Sequence, residues 1–187
     1  MQAVLTEKKP HFFTVAEYMA LDIPAHTELL GGVIYDVSPK NAPHGFAIRR
    51  LNEALTPAIG KPSDRYEISI QDPIAVAGWE GPHAPEVDVA VIDRKSYTRT
   101  PAAEDAYAFI EVSDTTYVDD KKTKIPLYVA ANVPTWHVNI PARLVEFYDR
   151  GAALTSPRIF RETELIDVLG IAIRVSDLFE PPLDHPE

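Results

Sequence analysis

The chain has 187 residues, no cysteine, 45% hydrophobic residues and a formal net charge of -10 from 18 basic and 28 acidic side chains. The length suits one domain with a real core, and the absence of thiols excludes a disulfide framework, a thiolate zinc site and a cysteine nucleophile. The acidic balance argues against a protein that wraps DNA by charge alone, but it suits a site that gathers carboxylates around a cation.

No apolar run reaches the roughly 18 residues of a membrane span. The opening MQAVLTEKKPHFF lacks a positive segment followed by an apolar one, so a cytoplasmic location without a membrane partner is expected. Residues 1-12 read as a flexible leader. Thr14-Val15-Ala16-Glu17 has the spacing of a capping box, which predicts a short helix to about Leu21. TELLGGVIYDV, residues 27-37, sets two apolar runs around a Gly pair and predicts a hairpin. A second helix is expected from near Pro43, with Phe46, Ile48, Leu51 and Leu55 on its core face and Arg49, Arg50 and Glu53 outward.

Strands follow at 66-70, at 86-92 (EVDVAVI) and at 107-113 (YAFIEVS), the last near-continuously apolar and so central. Residues 119-131 look helical, with Pro126 implying either a kink or a helix that starts near Lys124. Thr135-Ile140 and Leu144-Tyr148 are two more strands, and the tail predicts a strand pair or a strand and short helix before a Pro-rich end. The sum is a mixed α/β (α+β) domain.

Two carboxylates stand out. Asp88 lies early in one apolar strand and Glu111 late in another. Antiparallel pairing brings them to the same end of the sheet, where two buried carboxylates repel unless a cation joins them. Oxygen ligands point to Mg2+ or Mn2+. On a continuous helix Lys121, Lys124, Ile125 and Tyr128 share one face, so Lys124 faces the sheet and needs an anion there. Each residue alone has an ordinary reading: Asp88 a turn former, Glu111 and Lys124 a structural ion pair, Glu28 a hairpin charge, His44 a helix-start residue. Only the joint pattern of Asp, Glu and Lys on strand, strand and helix points to chemistry.

These residues resemble a bacterial restriction-endonuclease family of PD-(D/E)XK type, long carried as a domain of unknown function. The matching segments are Glu111-Val112-Ser113, Asp120, Lys124, Pro126-Leu127-Tyr128, Val133-Pro134 and Trp136, together with TVAEYMAL, TELLGGVIYDVSP, Pro43-His44-Gly45, PEVDVAVI and LGIAIRVSDLF. The resemblance implies a single restriction-endonuclease-like domain over 13-180, a mixed sheet flanked by helices with an N-terminal helix and hairpin, and a tail at 181-187. It also implies an active site of Asp88, Glu111 and Lys124, with Glu28 as a further metal contributor beside Asp88 and Glu111, and with His44, Ser113, Asp120 and Tyr128 in support. The lysine then sits on a helix, which explains Ser113 where an E-x-K motif has Lys. Val87 replaces the pattern's Pro, Gly31 and Val33 depart from the acidic hairpin positions, and Asn139 stands for an Asp. Pro85-Glu86 admits a second alignment with Glu86 as the site acid.

The activity implied is Mg2+- or Mn2+-dependent hydrolysis of nucleic-acid phosphodiesters, DNA before RNA, by a homodimer. The competing reading is an inactive nuclease fold used as a binding or structural module. A weaker third, carboxylate hydrolysis of a glycoside, leaves Lys124 unexplained. Arg49-Arg50, Lys61, Arg65 and Arg94-Lys95-Arg99 either line a DNA groove or are ordinary surface charge.

Overall fold

In the computed structural model, described for residues 11-22, 26-37, 40-59, 61, 64-78 and 81-181, Thr14 closes the expected capping box with Glu17 and starts helix α1 (Val15–Met19). The leader and tail expected at 1-12 and 181-187 fall almost wholly outside these residues. Strands β1 (Thr27–Leu30) and β2 (Val33–Asp36) form the hairpin, and Gly31 and Gly32 take φ of 59° and 77° in its turn. Two successive positive φ angles are what a tight two-residue hairpin needs, and glycine reaches them without strain.

Helix α2 (Ala42–Ile59) starts on Asn41, whose Oδ1 accepts from the His44 N–H. It buries Ala47, Ile48, Leu51, Leu55 and Ile59. Phe46, expected on that face, is only half buried; the helical stripe runs through Ala47 instead, and Phe46 turns its ring to Arg49. Strand β3 (Tyr66–Pro73) is longer than its alternation implied, and β4 (Val76–Gly78) and β5 (Gly81–His83) form a small hairpin that the sequence did not announce. Strand β6 (Glu86–Asp93) and strand β7 (Ala106–Ser113) are almost wholly buried.

The helical segment after β7 is two helices, α3 (Tyr117–Lys122) and α4 (Lys124–Ala130), broken at Thr123. Pro126 occupies the third position of α4, where its missing N–H has no intrahelical partner to lose. Of the two expected arrangements, the helix starting at Lys124 is the one present. Strands β8 (Thr135–Asn139), β9 (Leu144–Tyr148) and β10 (Arg158–Arg161) complete the main sheet. The tail supplies both expected motifs, the pair β11 (Leu165–Val168) and β12 (Ile171–Arg174) and then a 3-10 turn over Val175–Leu178.

The six-stranded sheet has the order β10-β9-β8-β7-β6-β3. Only β7 and β8 pair in parallel, bridged by the α3–α4 crossover. Helix α2 and the tail cover one face: Leu51, Leu55, Val89, Val91, Ile110, Val138, Ile166 and Leu178 belong to one core. Helix α4 covers the other, where Ile125, Leu127 and Tyr128 meet Ala90, Ile92 and Phe109. Val89 and Val91 of β6 face the α2 core, whereas Val87, at the start of the strand, joins the α4 side. Burial of both faces makes this an α/β domain with a mixed sheet between helical layers.

Candidate functional site

Strands β6 and β7 pair antiparallel with Val89 opposite Ile110. One step on, Asp88 lies beside Glu111, and both carboxylates are buried on the α4 face, at 0% and 1% exposure. Asp88 Oδ2 accepts from the Val112 N–H at 2.9 Å and lies 3.1 Å from His44 Nε2. Its Oδ1 accepts from Lys40 Nζ at 3.3 Å. Helix α2 therefore delivers His44 to the site from its capped first turn.

Helix α4 delivers two more groups. Lys124 Nζ donates to Glu111 Oε1 at 3.0 Å and to the Glu86 backbone oxygen at 3.3 Å, and Tyr128 OH donates to Glu111 Oε2 at 3.0 Å. Lys124 Nζ is also 3.1 Å from Glu28 Oε2, on the first hairpin strand. Five elements, β1, α2, β6, β7 and α4, thus bring Glu28, His44, Asp88, Glu111, Lys124 and Tyr128 together. Glu86 stands at the same place, buried, with its charge felt by Lys124 and Asp88. The two alternatives for the strand acid are neighbours in one cluster.

Burial pushes Glu111 up to about 8; Lys124 opposes this and Asp88 adds to it. Burial raises Glu86 as well, against the pull of Lys40. Asp88 goes the other way: burial opposes its charge, yet the bond to His44 and the Lys40 ammonium hold it below the usual carboxylate range. For Lys124 burial disfavours the ammonium, but Glu111 and Glu28 override it and keep the amine charged. The floor of the site is a lysine set among carboxylates of unequal proton affinity, the pattern in which environments separate the roles of like groups. Above it opens a cavity of about 610 Å³ between the β1–β2 hairpin and the α3–α4 helices, with Glu28, Lys40, Asp120 and Lys124 among its walls.

A family model described as "Uma2: Putative restriction endonuclease" matches residues 15-176. The chain belongs to this family. Among solved structures it resembles the crystal structure of a "putative nuclease belonging to DUF820" from Anabaena variabilis ATCC 29413, with a TM-score of 0.67 and 16% identity over 89% of this chain and 97% of that one. At that identity the likeness speaks for the fold alone. No curated protein matches the chain. The resemblance carried by the Glu-Val-Ser, Pro-Leu-Tyr and Val-Pro…Trp segments therefore holds for the family, and the restriction-endonuclease-like fold holds with it.

Within that fold the donor chemistry suits a hard divalent cation, because Glu28, Glu86, Asp88 and Glu111 offer oxygen alone. Glu28 Oε2 and Glu86 Oε1 are buried and accept no hydrogen bond. Among the described residues no three His, Cys, Asp or Glu side chains stand in ligating geometry; Lys124 bridges Glu28 and Glu111 instead. The residues present fit the ion as donors.

The polar row runs further than the sequence implied. Glu111 pairs in register with His137, and His137 with Glu146, so four adjacent strands carry Asp88, Glu111, His137 and Glu146 in one transverse line. Ser113 Oγ donates to Asp120 Oδ2 at 2.7 Å and lies 2.8 Å from His137 Nε2, while Thr116 Oγ1 donates to the same Asp120 oxygen at 2.6 Å. Ser113 and Asp120 so adjoin the Glu111–Lys124 pair, and Asp120 reaches the cavity wall. Lys121 does not share the Lys124 face. The break at Thr123 turns it to Glu146 Oε1, at 2.6 Å, where Tyr117 OH also donates, while Tyr148 OH donates to Glu146 Oε2.

His137 was missed because Thr135-Asn139 alternates like a half-exposed strand, whereas both its faces are buried, Trp136 and Val138 in the α2 core and His137 under Tyr117 of α3; Glu146 follows as its neighbour on β9. Most of the basic candidates are taken up internally. Arg50 pairs with Glu53, Arg65 with Asp93 and Tyr107, Lys95 and Arg99 with Asp105, and Arg94 with the Tyr66 carbonyl.

Proposed function

We propose that the chain is a metal-dependent endonuclease, a hydrolase of nucleic-acid phosphodiester bonds with DNA as substrate, working as a homodimer. The observation that carries this reading is the bridge of Lys124 between Glu111 and Glu28, with Lys124 and Glu28 lining an open cleft and Asp88 buried beside Glu111. A structural ion pair needs one acid for one lysine; this lysine meets two, Glu111 and Glu28, and the neighbouring Glu86 keeps a buried Oε1 that accepts no hydrogen bond. Asp88, Glu111 and Glu28 are the residues that would hold Mg2+ or Mn2+. The ion would supply a water of lowered pKa and neutralise charge that builds on the phosphate.

The chain's own groups divide the remaining work. Asp88, kept ionised by His44, Lys40 and the Val112 N–H, is the standing negative charge. Tyr128 OH and Lys124 Nζ each fix one oxygen of Glu111 and so orient the carboxylate. Lys124 brings a point charge to the place where a phosphate arrives. Asp120, held by Ser113 and Thr116, borders that place from α3.

The test is cleavage of labelled oligonucleotides with Mg2+ or Mn2+ by the wild type and by Asp88→Asn, Glu111→Gln and Lys124→Met. The wild type is expected to cut and the three variants to lose about a hundredfold or more. Equal rates in all four would remove the assignment. Tight Mn2+ binding by calorimetry with no cleavage would favour the binding-module reading.

A further inference from the structure

The cleft has a wall that the hydrolytic groups do not use. In the β1–β2 hairpin Tyr35 lies directly opposite Glu28. Residues paired in this way on antiparallel strands share a face, so the ring stands beside the carboxylate that meets Lys124. Tyr35 lines the cavity and is 49% exposed. An aromatic ring held open to solvent beside a phosphate-directed lysine is a platform for a nucleobase.

The depth and size of the cleft narrow the substrate further. Lys124 lines the cavity at only 4% exposure, with Asp88 and Glu111 buried behind it, so a phosphate has to descend to reach the lysine. The cavity, about 610 Å³, is on the scale of a small-molecule pocket. A duplex cannot enter such a space, whereas an unpaired strand can lower one phosphate and one base. Charge agrees. Among the described residues Lys40, Lys122 and Lys124 are the lysines of the cavity wall, set among Glu28, Asp36, Asp119 and Asp120. A long duplex footprint requires many phosphate contacts; this wall offers few, on a chain of net charge -10.

Resting on the nuclease reading above, we propose that the cleft takes unpaired nucleic acid, a single strand or the frayed end or flap of a duplex, with the base next to the scissile phosphate stacked on Tyr35. Tyr35 is then a specificity-determining residue.

Two measurements test this. Fluorescence anisotropy in Ca2+ compares one labelled sequence as a single strand, as a duplex with a single-stranded flap, and as a blunt duplex. Cleavage in Mn2+ compares the same three. Single strand and flap are expected to bind and be cut at least about tenfold better than the blunt duplex, with a shallow salt slope near -2 for about three phosphate contacts. Tyr35→Ala is expected to weaken single-strand binding about tenfold while Tyr35→Phe keeps it, since stacking needs the ring and not the hydroxyl. Equal or better binding of the blunt duplex, or unchanged binding by Tyr35→Ala, overturns the proposal. Tyr35-dependent single-strand binding without any cleavage upholds the cleft's ligand and overturns only the hydrolytic reading.

Discussion

Glu146 shows how far a buried row of charge depends on its partners. Burial raises its pKa, but the His137 contact, the Lys121 ammonium and the Tyr148 hydroxyl outweigh that and bring it down to about 2, from 4.5 in the free side chain. A carboxyl whose folded pKa is depressed stabilises the fold above its unfolded pKa and loses that contribution as the pH falls through the folded value. Glu146→Gln is expected to cost about 3 kcal/mol at pH 7. The difference from wild type should shrink between about pH 4.5 and pH 2. Urea unfolding at a series of pH values checks this, and a pH-independent difference would mean that the loss is one of packing. Lys124→Met is expected to cost about 3–5 kcal/mol as well, because it strands Glu111 and Glu28 without their cation; differential scanning calorimetry without added metal reads that cost.

At the scale of elements, the site is where two helix starts meet the ends of two strands. The Asn41 cap on α2 fixes the turn that carries His44, and the break at Thr123 fixes the start of α4 that carries Lys124. The sequence made Asp88, Glu111 and Lys124 legible because a polar residue inside an apolar period has to meet something; His44 and Tyr128 entered as site residues through the family resemblance alone. It hid Lys40, which lies between the hairpin and α2 outside any period. It misplaced Lys121, because the heptad-like spacing assumed one helix across Thr123. Leu55 separates these local effects from general stability. It lies eleven residues beyond His44, about 16 Å along α2, and is fully buried against the sheet. Leu55→Ala is expected to destabilise by about 2–5 kcal/mol while the folded fraction keeps wild-type cleavage. Chemical denaturation and the rate per folded molecule at low temperature measure the two effects.

For the whole molecule, the fold was more legible than the site because the sheet is written in hydrophobic period while the site is written across it. Four of the six strands, β6 to β9, each contribute one member of the line Asp88, Glu111, His137 and Glu146, and no spacing within a strand predicts which residues of the next will face it. The line also concentrates stored repulsion. Glu28, Glu86, Asp88 and Glu111 share two close ammonium groups, Lys40 and Lys124, so a divalent cation added there should stabilise the native state and leave the unfolded chain unchanged. Linkage then fixes the size of the effect: at a concentration one hundred times the dissociation constant the gain is about 2.7 kcal/mol. The apparent melting temperature is expected to climb with Mn2+ or Mg2+ and to level off only slowly. Glu111→Gln should flatten the climb, whereas Glu146→Gln, at the far end of the same row, should lower the starting temperature and leave the metal-dependent rise intact. A rise of equal size in wild type and Glu111→Gln would locate the cation elsewhere on this acidic chain and remove the carboxylate cluster from the chemistry.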